Sequence, residues 1–273
     1  MALIVLASAK GSPGVSTAAL ALTLTRGVRT ILAECDPSGG SVLAGYLQGR
    51  IGSGRGLLPW ALTEMRRTPP PGGGPVPAEF FGQLADLDPP HRQRLLLPGL
   101  TDPAQSNTLG PLWNRFAGLF RQLEHHSPSY DVIADCGRLV APNLPLPLLW
   151  AADVLVLVIR PSLASIAAAM PTLDLLKKQL HERTADTSTL GLLVVGKGRY
   201  SETEIIDQLR VPVVARLPHD PRAADVLTDG GDIRLKWPLI QAAVDADDAI
   251  RSAVIAHRHR IPPRALRREP TDV

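Results

Sequence analysis

The stretch Ala2-Leu-Ile-Val-Leu-Ala7-Ser8-Ala9-Lys10-Gly11-Ser12-Pro13-Gly14-Val15-Ser16-Thr17 decides how the rest of the chain is read. Ala2–Ala7 is an unbroken apolar run of strand length, as a parallel strand covered on both faces requires. Lys10–Gly14 is a Gly/Ser/Pro loop. Ser16–Arg26, rich in Ala and Leu, reads as a helix that Gly27 ends, and Val28–Ala33 is the next strand. A strand, a glycine-containing loop and a helix, in that order, are the context of a phosphate-binding loop, because loop N–H groups and the helix N-terminus together form a concave anion site. Against the pattern G-x-x-x-x-G-K-[ST], the second glycine and the hydroxyl are present as Gly14 and Ser16, while the lysine position holds Val15.

Outward from this unit the alternation continues. Strands are expected at Arg94–Leu97, Tyr130–Ala134 (ending in Asp135), Asp153–Ile159 (ending in Arg160-Pro161), Leu190–Val195 and Val211–Ala215. Helices are expected at Ser41–Leu47, Leu58–Arg66, Leu112–Leu123, Ser165–Leu180, Glu202–Leu209 and Leu239–Ala256. Strands alternating with helices predict a single α/β domain with a mostly parallel twisted sheet and helices on both faces, and its opening strand–loop–helix unit resembles that of a P-loop NTPase-type domain. The domain is placed at residues 1–257, with an exposed Pro/Gly loop at about 68–78, followed by a flexible basic tail at 258–273.

Composition excludes several classes. Of 273 residues, 45% are hydrophobic and 20% charged, which no largely disordered chain shows. Two cysteines, Cys35 and Cys136, exclude a disulfide scaffold and read as small buried residues, and the seven histidines match no zinc-ligand spacing. The apolar runs near Ala151–Ile159 and Leu190–Val195 are strand-length, short of the roughly 20 residues of a membrane span. Met1–Ser8 has no basic region before its apolar run and reads as a strand rather than a signal peptide, so a cytoplasmic protein is expected. The formal net charge of +3 is uneven: from Arg251 onward six arginines face Glu269 and Asp272, a net of +4, which leaves the body at −1.

Together these motifs resemble the ParA/MinD group of P-loop ATPases, whose deviant Walker A loop reads K-G-G-x-G-K-[ST]-[ST]. Lys10 matches that family's signature lysine. Glu34-Cys35-Asp36-Pro37 is similar to its D-x-D-P/Q segment, and Asp131-Val-Ile-Ala-Asp135-Cys-Gly137 resembles its Walker B strand and switch II. The resemblance implies ATP and Mg²⁺ as cofactors. Nucleotide binding would fall to Lys10, Gly11, Ser12, Pro13, Gly14, Val15, Ser16 and Thr17, and Mg²⁺ to Ser16, Asp36 and Asp135. In catalysis Asp36 would orient the attacking water, and Lys10 would reach across a homodimer interface to the partner's phosphates.

The departures from the pattern point to weak or absent hydrolysis. Val15 supplies no positive charge, Pro13 has no N–H to donate, and Ser12 replaces a glycine. Gly196-Lys197-Gly198 stands where the family's adenine-contacting Asn follows its strand. This pattern is most similar to the CpaE/TadZ-like branch of Tad pilus systems. It implies a localisation, partitioning or pilus-assembly factor that dimerises, binds protein partners of such a machine and is recruited to the membrane or a cell pole. The basic tail offers contacts to nucleic acid or anionic membrane. Two further readings stay open: an active ATP-dependent dimer switch that binds DNA non-specifically, and a nucleotide-free interaction protein using the Pro69–Pro77 loop or the Leu112–Leu123 helix.

Overall fold

A computed structural model describes residues 2–11, 13–50, 52, 54–68, 74–184 and 186–260. Eight strands form one sheet: β1 (Leu3–Ser8), β2 (Thr30–Glu34), β3 (Ala85–Asp86), β4 (Arg94–Leu97), β5 (Asp131–Arg138), β6 (Val154–Ile159), β7 (Leu190–Val195) and β8 (Val213–Leu217). Their order is β3-β4-β2-β5-β1-β6-β7-β8, and every pair is parallel except β3 with β4. Among the described residues ten α-helices connect them: α1 (Val15–Thr25), α2 (Leu57–Arg66), α3 (Ala78–Phe81), α4 (Ser106–Leu109), α5 (Trp113–Gln122), α6 (Leu146–Ala151), α7 (Leu163–Thr184), α8 (Glu202–Leu209), α9 (Pro221–Asp229) and α10 (Pro238–Arg260). The single α/β domain expected from the sequence is what the chain forms.

Every residue of β1, β2 and β6 is buried, because helices cover both faces of the sheet. The two-residue side-chain period sorts the strands into two apolar layers. Leu3, Val5 and Ala7 face the layer that holds α2, α5 and α7, while Ile4 and Leu6 face α1, α9 and α10. α5 follows its expected apolar spacing, burying Phe116, Leu119 and Phe120, with Trp113 edge-on to Phe116 at 5.6 Å.

Several expectations need correction. Ser41–Leu47 is a run of turns and not a helix: Gly45 N donates to Ser41 O at 2.8 Å, but Gly49 N reaches Leu43 O, six residues back. Gly45 is pressed against the carbonyl of Thr228, so tertiary contact shapes this segment. β8 is displaced two residues from Val211–Ala215, and α3, β3, α4, α6 and α9 were not foreseen. The tail boundary at 258 falls inside α10, where Arg258 bonds to Glu124 at 2.5 Å and to Asp153 at 2.8 Å. Residues 261–273 of that tail, and 69–73 of the Pro/Gly loop, lie outside the described residues. Among the described residues no helix is long and apolar enough to cross a membrane.

The amino edge of the sheet is closed by charge pairs. Arg26, just past α1 and only 2% exposed, meets Asp131 of β5 at 2.5 Å and Asp247 of α10 at 2.7 Å. Asp131 also accepts from Ala2 N, and Asp153 from Leu3 N, each at 2.8 Å. Removing one partner of a buried pair leaves uncompensated charge, which costs about 3–5 kcal/mol. Arg26→Ala is therefore expected to lower unfolding free energy by that order, measured from urea midpoints at constant slope; a loss under about 1 kcal/mol would mean the cluster is not a structural tie.

Candidate functional site

The carboxyl edge of the sheet is built differently. β1 ends at Ser8, and the chain leaves it through exposed Lys10 and through Gly11, whose φ is +79°. Gly14 (φ +103°, ψ +38°) then turns the backbone into α1 through the left-handed region, which glycine enters without a Cβ penalty. Among the described residues no side chain caps α1, and no acidic residue of its own occupies the first turn, where the helix carries its partial positive charge. Val15, 6% exposed, joins the apolar layer with Ile4 and Leu6. Pro13 is buried, and Ser16 and Thr17 are half-buried, while Ser12 lies outside the described residues.

Strand register brings the acidic residues to this loop. In β1, β5 and β2 the neighbours are Leu6, Asp135 and Glu34. Asp135, 3% exposed, accepts from Gly137 N at 2.9 Å and is hydrogen-bonded by the Ser16 side chain. Burial pushes its carboxyl up to about 7, the Ser16 and Gly137 bonds oppose this, and the charges of Glu34 and Asp36 add to it. Asp36 accepts from Ser38 N at 2.7 Å. Its carboxylate lies directly on Gly137, which has φ +59° and no room for a Cβ. Of the residues read from the sequence, the structure thus brings Ser16, Asp36, Asp135 and Gly137 together, with Lys10 exposed at the loop's start.

Glu34 acts in a way its motif did not reveal. Its buried carboxylate accepts from Ser41 N at 2.7 Å, Val42 N at 2.9 Å and Gly99 N at 3.1 Å, and burial raises it above the usual carboxylate range. It fastens two loops to the end of β2. Gly40 and Gly99 lie so close to it that a Cβ on either would collide. Those glycines were the only trace of this role in the sequence. Cys35 and Cys136 are fully buried free thiols, and burial pushes both far up.

The oxygens of Ser16, Asp36 and Asp135 are hard donors, the type that Mg²⁺ takes with one or two carboxylates plus ligand phosphates. Asp135 makes no ion pair among the described residues, and its raised carboxyl marks a buried position where a cation would be stabilised. The donor set therefore fits such an ion. Among the described residues no group of three or more His, Cys, Asp or Glu side chains is placed to hold a metal alone.

Beyond β1, the carboxyl ends of β6, β7 and β8 open into a cavity of about 580 Å³, lined in part by Arg160, Lys197, Arg199, Tyr200 and His219. Gly198 is required there, because a Cβ would overlap the Pro161 carbonyl. The strand-to-loop segment Gly196-Lys197-Gly198 thus has a packing reason of its own.

No protein-family model matches the chain, and no curated sequence matches it. Solved structures do. A MinD cell division protein of Aquifex aeolicus superposes with a TM-score of 0.66 at 21% identity, over 92% of this chain and 98% of the other. A ParA family ATPase from Chlorobium tepidum TLS gives 0.68 at 19%, over 89% and 96%. The septum site-determining protein MinD from Pyrococcus horikoshii OT3, complexed with Mg-ADP, gives 0.65 at 15%, over 94% and 99%. At these identities the likeness is one of fold.

A carboxyl held at about 7 keeps its proton in the folded chain between about pH 4 and pH 7, where the unfolded chain has released it. The folded state binds more protons there, so stability falls as pH rises through that window. Asp135→Asn, which cannot ionise, should match the parent near pH 4 and exceed it above pH 7, by at most about 4 kcal/mol. Denaturant melts at the two pH values read the difference, and an Asn variant that gains nothing at high pH would contradict the burial argument.

Proposed function

We propose that the chain is a ParA/MinD-like P-loop protein with a degenerate nucleotide site, acting by dimerisation and partner binding as a localisation or partitioning factor, in its specific form a CpaE/TadZ-like factor of pilus assembly. The observation that carries this reading is Val15. At the position of the P-loop lysine stands an apolar side chain packed into the core, while the glycine turn, Ser16, Asp36 and Asp135 around it converge. The N-terminus of α1 would receive phosphates through its backbone N–H groups, and Ser16, Asp36 and Asp135 would hold Mg²⁺, whose charge neutralises phosphate oxygens when it is bound. No cation from Val15 would balance charge building up on a leaving phosphate, so binding without efficient hydrolysis follows.

Calorimetric titration with ATP and Mg²⁺ tests it. Lys10→Ala is expected to weaken binding about tenfold if Lys10 has taken over the phosphate contact, the order of one charge-assisted bond. Val15→Lys should melt below the parent without nucleotide, because an ammonium enters an apolar layer, and should bind ATP more tightly than the parent. Unchanged ATP binding in Val15→Lys would break the correspondence between Val15 and the P-loop lysine.

One observation favours the active-switch reading. Lys10 is exposed and makes no ion pair among the described residues, so its charge is free to serve a neighbouring subunit. That reading expects steady ATP turnover, abolished by Asp36→Ala, and salt-sensitive DNA retention. Absence of both turnover and retention at low salt rules it out.

A further inference from the structure

α2 and the segment that leads into α3 face each other across a cavity of about 500 Å³, in the size range that holds a whole small molecule. α2 supplies Trp60, Thr63, Arg66 and Arg67 to one wall, and the other wall runs from Pro75 to Glu79. Both walls are fixed from behind. Trp60 is 1% exposed and edge-on to Phe80 at 5.4 Å, and Val76 is buried in the same apolar layer. Phe80 N donates to Pro77 O at 3.1 Å, and Arg115 holds the end of α2 by donating to the carbonyls of Glu64 and Arg67 at 2.5 and 3.2 Å. One charge is satisfied within the protein, since Arg67 pairs with Glu64 at 3.3 Å. Arg66 on one wall and Glu79 on the other are exposed, and neither makes an ion pair among the described residues. Two opposite charges that line one cavity without meeting complement a molecule that carries both signs. The place is remote from the α1 loop. Leu57 N, at the start of α2, donates to Pro98 O just past the carboxyl end of β4, and Arg66 ends the same helix about 14 Å further along.

We propose that this cavity binds a small zwitterion, with its carboxylate on Arg66, its ammonium on Glu79 and an apolar side chain against Pro75 and Val76. The guanidinium offers a carboxylate two parallel N–H donors, and the Glu79 carboxylate accepts from an ammonium. Each contact alone is weak at a solvated surface. Joined on one short ligand, the two share a single cost of association, and the apolar wall adds burial. A free amino acid and a short peptide have this chemistry in common and differ in the distance between their charged ends. The inference uses no residue of the α1 loop and stands whether or not that loop takes nucleotide.

Calorimetric titration of the full chain with L-leucine and with leucyl-leucine tests the proposal, in the parent and in Arg66→Gln, Glu79→Gln and Lys10→Ala. Both substituted cavity positions are exposed, so those variants should fold as the parent does. At least one of the two ligands should saturate the parent, and Arg66→Gln and Glu79→Gln should each weaken it about fivefold, the order of one solvated ion pair. Truncating that ligand should have the same effect: amidation of its carboxylate or acetylation of its amine should each cost about fivefold. Tighter binding of leucyl-leucine assigns a short peptide, and equal or tighter binding of leucine assigns a free amino acid. No saturation by either up to about 10 mM overturns the site. Binding that Arg66→Gln or Glu79→Gln leaves unchanged also overturns it, as does binding that Lys10→Ala abolishes.

Discussion

The register of three central strands governs the rest of the molecule. Because Leu6, Asp135 and Glu34 are neighbours across β1, β5 and β2, two carboxylates are buried side by side where β1 hands the chain to α1. Burying a charge costs several kcal/mol unless it finds partners or takes up a proton. The fold answers in two ways. Glu34 accepts three backbone N–H bonds and so fastens the loops that follow β2 and β4. Asp135 has the Ser16 and Gly137 bonds and a carboxyl displaced to about 7. A one-residue slip of β5 would move Asp135 into an apolar layer, so burial and site geometry enforce the same register.

The two edges of the sheet divide the charges between them. At the amino edge Arg26, Asp131, Asp247, Asp153 and Arg258 are paired and tie α1, β5, β6 and α10 together. At the carboxyl edge Lys10, Asp135, Arg160, Lys197 and Arg199 make no ion pair among the described residues. Titratable side chains outside any ion pair at the carboxyl ends of parallel strands lie where open α/β sheets bind ligands. α1 belongs to both edges: it starts at the glycine turn and ends one residue before Arg26, so the candidate site at one end and a buried ion cluster at the other share one rigid element.

Much of this was readable in advance for a physical reason. The strands β1, β2, β5, β6 and β7 are buried on both faces, which forces continuous apolar runs that stand out in sequence. α5 announced itself by apolar spacing. Segments whose shape depends on distant atoms were misread or missed. Ser41–Leu47 has helical composition, yet Glu34 holds its first residues and the Thr228 carbonyl presses on Gly45. β3 is two residues long and exists only through its pairing with β4. α9 carries a start signal, Asp220 capping Ala223 N with Pro221 in the first turn, and buries Ala223 and Leu227.

Local periodicity, with what glycine and proline permit, sets the alternation of strands and helices, the glycine loop that opens α1 and the residue types at three strand ends. Long-range packing, in contrast, rests Asp36 on Gly137, joins Asp135 and Ser16 in a hydrogen bond, makes Glu34 a loop fastener and turns Val15 to the core. The same holds for the unpaired basic cavity at β6–β8, whose members are separated by up to 59 positions, from Arg160 to His219. Each of these depends on which strands lie side by side and how deeply they are buried, and neither is a property of any stretch of chain taken alone.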